Sequence, residues 1–182
     1  GTVTPKAQYG NPKPRIKRLI SNESLLNSLG FPNEGVATIK PRLQKVRDDI
    51  CLGVNIGPNK DTVSQEIVND YLFCYREVFK YADFVTMNIS SPNTPNLRSL
   101  HNIENFKSVI DAILNERSKH QKQPKIFIKI SPDEESKTYK DLVETINDSA
   151  IDGVVISNTS DNQSLKESLS LIHISEPTRR VF

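Results

Sequence analysis

Four short apolar runs recur along this chain, LGVNIG, FVTMNIS, KIFIKIS and GVVISNTS, and each carries small polar or charged side chains toward its end. Between them the apolar spacing changes. Ile67, Tyr71, Tyr75, Val78 and Phe79 fall on one helical face, as do Ile103, Phe106, Val109, Ile110, Ile113 and Leu114, and then Tyr139, Leu142, Val143 and Ile146. Alternation marks a strand and a period near 3.6 marks a helix. The order strand, helix, strand, helix, strand, helix, strand predicts consecutive βα units, and therefore a parallel sheet with helices outside. No other property of the chain narrows the fold as much.

Alternation also sorts the side chains by face. Val85, Met87 and Ile89 share one face, while Phe84, Thr86, Asn88 and Ser90 share the other, and Ser91, Pro92 and Asn93 form the following loop. Asn55 opposes Leu52, Val54 and Ile56, and Lys129 opposes Ile126, Ile128 and Ile130. In the last run Val155, Ser157 and Thr159 fall together and Asn158 lies at the strand end. Four strands thus deliver polar groups near their carboxyl ends, the edge where parallel α/β folds bind ligands. A lysine among isoleucines needs an anionic or strongly accepting partner, or must snorkel to solvent. Asparagines at strand ends can serve a ligand with amide edges, or can simply cap turns.

No GxGxxG or GxxxxGK[ST] loop follows any strand, which removes the usual nucleotide-binding forms of the open sheet and favours a barrel. A complete (β/α)8 domain needs about 250 residues. Four strands are legible, with Thr2 to Thr4 as the end of another. The expected fold class is therefore α/β, an incomplete (β/α)8 TIM barrel made of central βα units. Pro5, Gly10, Pro12, Pro14, Gly30 and Pro32 predict ordered loops over residues 5–35, with one helical turn between GNPKPR and NSLGF.

A formal charge of +2 gives no reason to expect nucleic acid. Cys51 and Cys74 form no CxxC, and His101, His120 and His173 show no ligand spacing, so neither a disulfide scaffold nor a metal site is expected. No apolar run approaches the roughly 20 residues of a membrane span and no signal peptide opens the chain, so the segment should be soluble.

MNISSPNTPNLRSL, together with GNPKPR, NSLGF, LGVNIGPNKDT, IFIKISPD and IDGVVISNTS, resembles dihydroorotate dehydrogenase, in particular the class 2, quinone-linked, membrane-associated enzymes. The motifs fall in the family's order from Gly1 to about Ser168. The resemblance implies a barrel that uses FMN to oxidise dihydroorotate to orotate in pyrimidine synthesis, with quinone as acceptor. It also implies that the first strand and the last two strands, with their glycine-rich phosphate site, lie outside this sequence, so that the segment alone is inactive. Membrane association, at the mitochondrial inner membrane by likeness to eukaryotic members, would come only through an amino-terminal region outside this sequence.

By the same resemblance Ser91 is the catalytic base. Gly1, Thr2, Asn55, Asn88, Lys129 and Ser157 contact flavin; Asn27, Ser28, Leu29, Gly30, Phe31, Asn88, Asn93, Asn158 and Thr159 contact substrate; and Arg18 belongs to the quinone site. Thr2 stands where serine is common and Ser157 where threonine is, both keeping a hydroxyl, while Asn96 replaces a usual glycine. Two rivals are a class 1 or dihydropyrimidine-dehydrogenase-like barrel, which would carry cysteine at the Ser91 position, and a noncatalytic ligand-binding barrel, which would have lost the polar strand ends. Residues 1–168 are expected to form the partial barrel. Residues 169–182 read as a non-family tail, LSLIHISEPTR resembling a translated sequencing adapter, which removes His173 and Glu176 from consideration.

Overall fold

A computed structural model describes residues 1–20, 23–47, 49–90 and 103–160. The elements are β1 (Ile16–Leu19), β2 (Ser24–Asn27), α1 (Val36–Leu43), β3 (Gly53–Ile56), a 3-10 turn (Ser64–Glu66), α2 (Ile67–Val78), β4 (Phe84–Asn88), α3 (Ile103–Ser118), β5 (Lys125–Lys129), α4 (Ser136–Asn147) and β6 (Gly153–Val155). Strands β3, β4, β5 and β6 form one parallel sheet in chain order. This is the expected series of βα units. The residues before β3 extend the sheet further, because Val3 bridges Ile56 in parallel, its N–H donating to the Asn55 carbonyl at 2.8 Å and its carbonyl accepting from Gly57 at 3.0 Å.

One face of the sheet carries the core. Val54, Ile56, Val85, Met87, Ile89, Ile126, Ile128 and Ile130 are buried there with Tyr71, Cys74 and Val78 of α2, Phe106, Val109, Ile110 and Ile113 of α3, and Leu142 and Ile146 of α4. Each large aliphatic side chain buried in this way stabilises the fold by about 1.5–3 kcal/mol. Behind it, Glu116 of α3 is nearly buried and accepts from Arg76 of α2 at 2.8 Å. The Arg76 hydrogen bond holds the Glu116 carboxyl down at about 2.

The opposite face has a different character. Phe84 and Phe127 meet edge to face, 5.6 Å between ring centres. Gly53 makes room for that pair, since a Cβ on it would lie 2.1 Å from the Phe84 ring. Above this aromatic floor, toward the carboxyl edge, the same face carries Asn55, Thr86, Asn88 and Lys129. Layering of this kind fills barrel interiors.

One expectation needs correction, and one element had no expectation at all. Residues 5–35 contain more than loops: β1 and β2 pair antiparallel from Ile16↔Asn27 to Leu19↔Ser24. Lys17 and Arg18 interrupt the apolar alternation of a largely exposed β1, so no period-two signal marks it. Helix α1 was hidden by Pro41, which lies inside it and withholds one helical N–H.

Candidate functional site

The polar side chains at the carboxyl edge form one connected chain. Asn158 donates to the Asn88 side-chain carbonyl at 3.4 Å, Asn88 donates to the Thr2 hydroxyl at 3.1 Å, and that hydroxyl donates to the Asn55 side-chain carbonyl at 3.1 Å. Every donor points the same way along the series. Asn88 Oδ1 also accepts from the Ser90 N–H and hydroxyl, both at 3.3 Å, and Asn158 reaches the Ser90 carbonyl at 3.0 Å. Thr2, Asn88 and Ser90 are buried, so these mutual bonds offset the cost of removing polar groups from water.

Thr2 holds its place because its segment is clamped on both sides. The Val3 bridge fixes it to β3, and two asparagines grip Thr4: Asn33 Nδ2 donates to the Thr4 hydroxyl at 2.8 Å, and Asn59 Nδ2 donates to it at 3.2 Å. Asn59 also exchanges bonds with the backbone of Lys6 in both directions, each at 2.9 Å. The hydroxyl kept at position 2 therefore has two partners on two strands.

Some donors on this face have no partner among the described residues. Lys129 pairs with Asn88 across β4 and β5, so both side chains emerge on the same face, yet no hydrogen bond or ion pair engages Lys129 among the described residues. Burial pulls its ammonium down from the ordinary lysine range. The Asn55 amide nitrogen is likewise unengaged among them. A half-buried cation beside free amide donors suits a planar ring with carbonyl edges and negative charge.

The other sequence-read residues lie around this core. Ser157 falls beyond β6, which ends at Val155, and its hydroxyl donates to the Asn158 carbonyl at 2.8 Å; it does not share a strand register with Asn55, Asn88 and Lys129. The Thr159 N–H donates to Asn158 Oδ1 at 2.8 Å. Asn27 ends β2, Ser28 donates to the Arg15 carbonyl at 2.9 Å, the Leu29 carbonyl accepts from Asn11 at 3.1 Å, and Gly30 adopts a left-handed φ of 67°. Phe31 follows with φ 51° and brings its ring against Gly57 beside Thr2, which places this loop at the site. Gly1 is exposed, and Arg18 sits on β1, in the two-stranded sheet and not in the one that carries Asn55 and Asn88. Ser91, Asn93 and Asn96 lie outside the described residues. Ser90 was missed as a site residue, although alternation puts it on the same face as Asn88. Among the described residues no group of acidic, histidine or cysteine side chains could hold a metal, and no helix is long and apolar enough to cross a membrane.

Fold and strand-end cluster together define a partial βα barrel with its polar site on the carboxyl edge of the sheet. The dihydroorotate dehydrogenase family model matches residues 1–178. A dihydroorotate dehydrogenase (quinone) of Pseudoalteromonas atlantica is 42% identical over 163 residues, covering 87% of this chain and 49% of that protein. One from Klebsiella pneumoniae is 41% identical over 173 residues, covering 93% and 52%. The crystal structure of the Eimeria tenella dihydroorotate dehydrogenase with ferulenol superposes with a TM-score of 0.85 at 33% identity, covering 97% of this chain and 54% of that one. The chain belongs to the dihydroorotate dehydrogenase family. It spans about half the length of the curated relatives it matches.

Proposed function

We propose that the protein carrying this segment oxidises dihydroorotate to orotate, with FMN as cofactor and a quinone as electron acceptor, in pyrimidine (UMP) synthesis. The observation that carries this reading is the Thr2, Asn55, Asn88 and Asn158 chain beside a half-buried Lys129 that has no partner among the described residues. FMN, when bound, supplies the hydride acceptor that no amino-acid side chain provides.

The residues of this chain do the positioning and the proton transfer. Asn55, Asn88 and Lys129, with Gly1, Thr2 and Ser157, would hold the flavin ring, where the Lys129 ammonium would offset negative charge. Asn27 to Phe31, Asn88, Asn93, Asn158 and Thr159 hold the substrate's amide edges and carboxylate. Ser91 takes the proton from the ring carbon beside the carboxyl-bearing one, from which the hydride leaves. A serine is a poor base in water, so exclusion of water and a relay to solvent are required of the site. Ser91 follows Ser90 in sequence, and the Ser90 N–H donates to Asn88 Oδ1 at 3.3 Å.

Quinone as acceptor is supported by the names of the relatives, with Arg18 as its candidate contact. Placement at the mitochondrial inner membrane rests on the resemblance to eukaryotic class 2 enzymes; the two curated relatives named above are bacterial. The division at Ser168 belongs to the same proposal: the adapter-like LSLIHISEPTR sets residues 169–182 apart, while the family match continues to residue 178.

The test compares two preparations. A barrel-complete protein containing this segment should bind stoichiometric FMN and bleach it anaerobically on addition of dihydroorotate. The 182-residue chain alone should retain no flavin after gel filtration, because it spans only about half the length of the relatives it matches. A barrel-complete protein that binds flavin and stays yellow with dihydroorotate would refute the assignment.

A further inference from the structure

Asn88 carries much of the site's hydrogen bonding, and its backbone is held in an unusual way. In the parallel register of β3 and β4, Phe84 lies opposite Gly53 and its N–H donates toward the Leu52 carbonyl. Parallel ladders repeat this pattern every two residues, so the carbonyls of Phe84, Thr86 and Asn88 face the N–H groups of residues 54, 56 and 58 in turn. Residue 58 is Pro58, which has no N–H. The odd-numbered residues of the same stretch serve the other side, since the Asn55 carbonyl and the Gly57 N–H both bond Val3. No ladder donor therefore reaches the Asn88 carbonyl from β3.

The side chain of Tyr71 fills that gap. Its hydroxyl, on the buried face of α2, donates to the Asn88 carbonyl at 2.8 Å, with both groups buried. Burial keeps the phenol protonated well above its ordinary range, so it remains a donor throughout the working pH range. Sequence periodicity accounts for Tyr71 as one more member of an apolar stripe, but a phenylalanine would fill the same stripe.

We infer that Tyr71 is a positioning residue for substrate and flavin binding: it replaces the ladder N–H that Pro58 cannot give and so fixes the end of β4 from which Asn88 and Ser90 project. This deepens the functional reading above and rests on it. A buried carbonyl that loses its donor shifts toward another partner or toward water. Because Asn88 bonds Thr2, Ser90 and Asn158 through its side chain, such a shift would move the whole chain of donors.

The test uses Tyr71→Phe in the barrel-complete flavoprotein, which removes one oxygen and keeps the core shape. Orotate affinity should fall roughly 10-fold to 10²-fold, the effect of misplacing binding groups by a fraction of an ångström to an ångström. KM for dihydroorotate should rise more than kcat falls, and amide exchange over residues 84–90 should quicken. Pro58→Ala restores the ladder donor, so Pro58→Ala/Tyr71→Phe should recover both orotate affinity and slow exchange. A general loss of stability would not be rescued at position 58. Unchanged orotate affinity in Tyr71→Phe, or a loss that Pro58→Ala leaves in place, overturns the inference. If the unsubstituted protein fails to oxidise dihydroorotate, the functional reading falls, while the exchange comparison still decides whether Tyr71 and Pro58 are coupled.

Discussion

Replacing Ser91 by alanine in the barrel-complete enzyme should slow reduction of bound flavin by dihydroorotate roughly 10²-fold to 10⁴-fold, the loss typical of a general base. Flavin content should not change, because the proposed ring contacts come from Thr2, Asn55, Asn88 and Lys129 on other positions of the sheet. Stopped-flow absorbance under anaerobic conditions reads both quantities at once. Ser91→Cys is the companion variant: activity that returns as pH rises would follow the thiolate fraction. Wild-type reduction kinetics in Ser91→Ala would place the base elsewhere.

Lys129→Met should produce the second large effect. The substitution keeps the length and apolar stem of the side chain and removes only the ammonium, which has no protein partner among the described residues. With the cation gone, the proposed compensation of negative charge on the flavin ring would be lost, and flavin reduction should slow by roughly 10²-fold to 10³-fold. Removing a half-buried charge with no partner among the described residues should at the same time raise thermal stability of the apoprotein, since desolvation of that ammonium is a cost of folding. The two readouts therefore move in opposite directions. A variant that reduces flavin at the normal rate, or an apoprotein that loses stability, would show that Lys129 serves the fold and not the flavin.

Much of this arrangement was legible because helices cover one face of the sheet and leave the other to polar groups. That asymmetry forces Val54, Val85 and Ile126 to one side, and so assigns Asn55, Asn88 and Lys129 to the other without any knowledge of contacts. Alternation fails once a strand ends, which is why the face read for Ser157 does not hold: β6 stops at Val155, and Ser157 lies beyond it. The hairpin of β1 and β2 escaped notice because its strands are short and the first is largely exposed, so no buried face imprinted a pattern on IKRL. The role of Tyr71 was invisible for another reason. It depends on a proline 13 residues earlier in sequence and on a strand register that joins residues 57 and 88, and neither leaves a local periodicity. The grip of Asn33 and Asn59 on Thr4 is hidden in the same way, since loop asparagines look alike until the fold brings them together.

The central claim is that the donors at the carboxyl edge of this sheet form one wall of a shared flavin and substrate site. A crystal structure of the barrel-complete protein with FMN and orotate tests it most directly. The account predicts the flavin ring within hydrogen-bonding distance of Asn55 and Lys129, and orotate within hydrogen-bonding distance of Asn88 and Asn158, with Ser91 beside the orotate ring. Flavin and orotate bound away from this edge, with Lys129 turned outward among the helices, would contradict it.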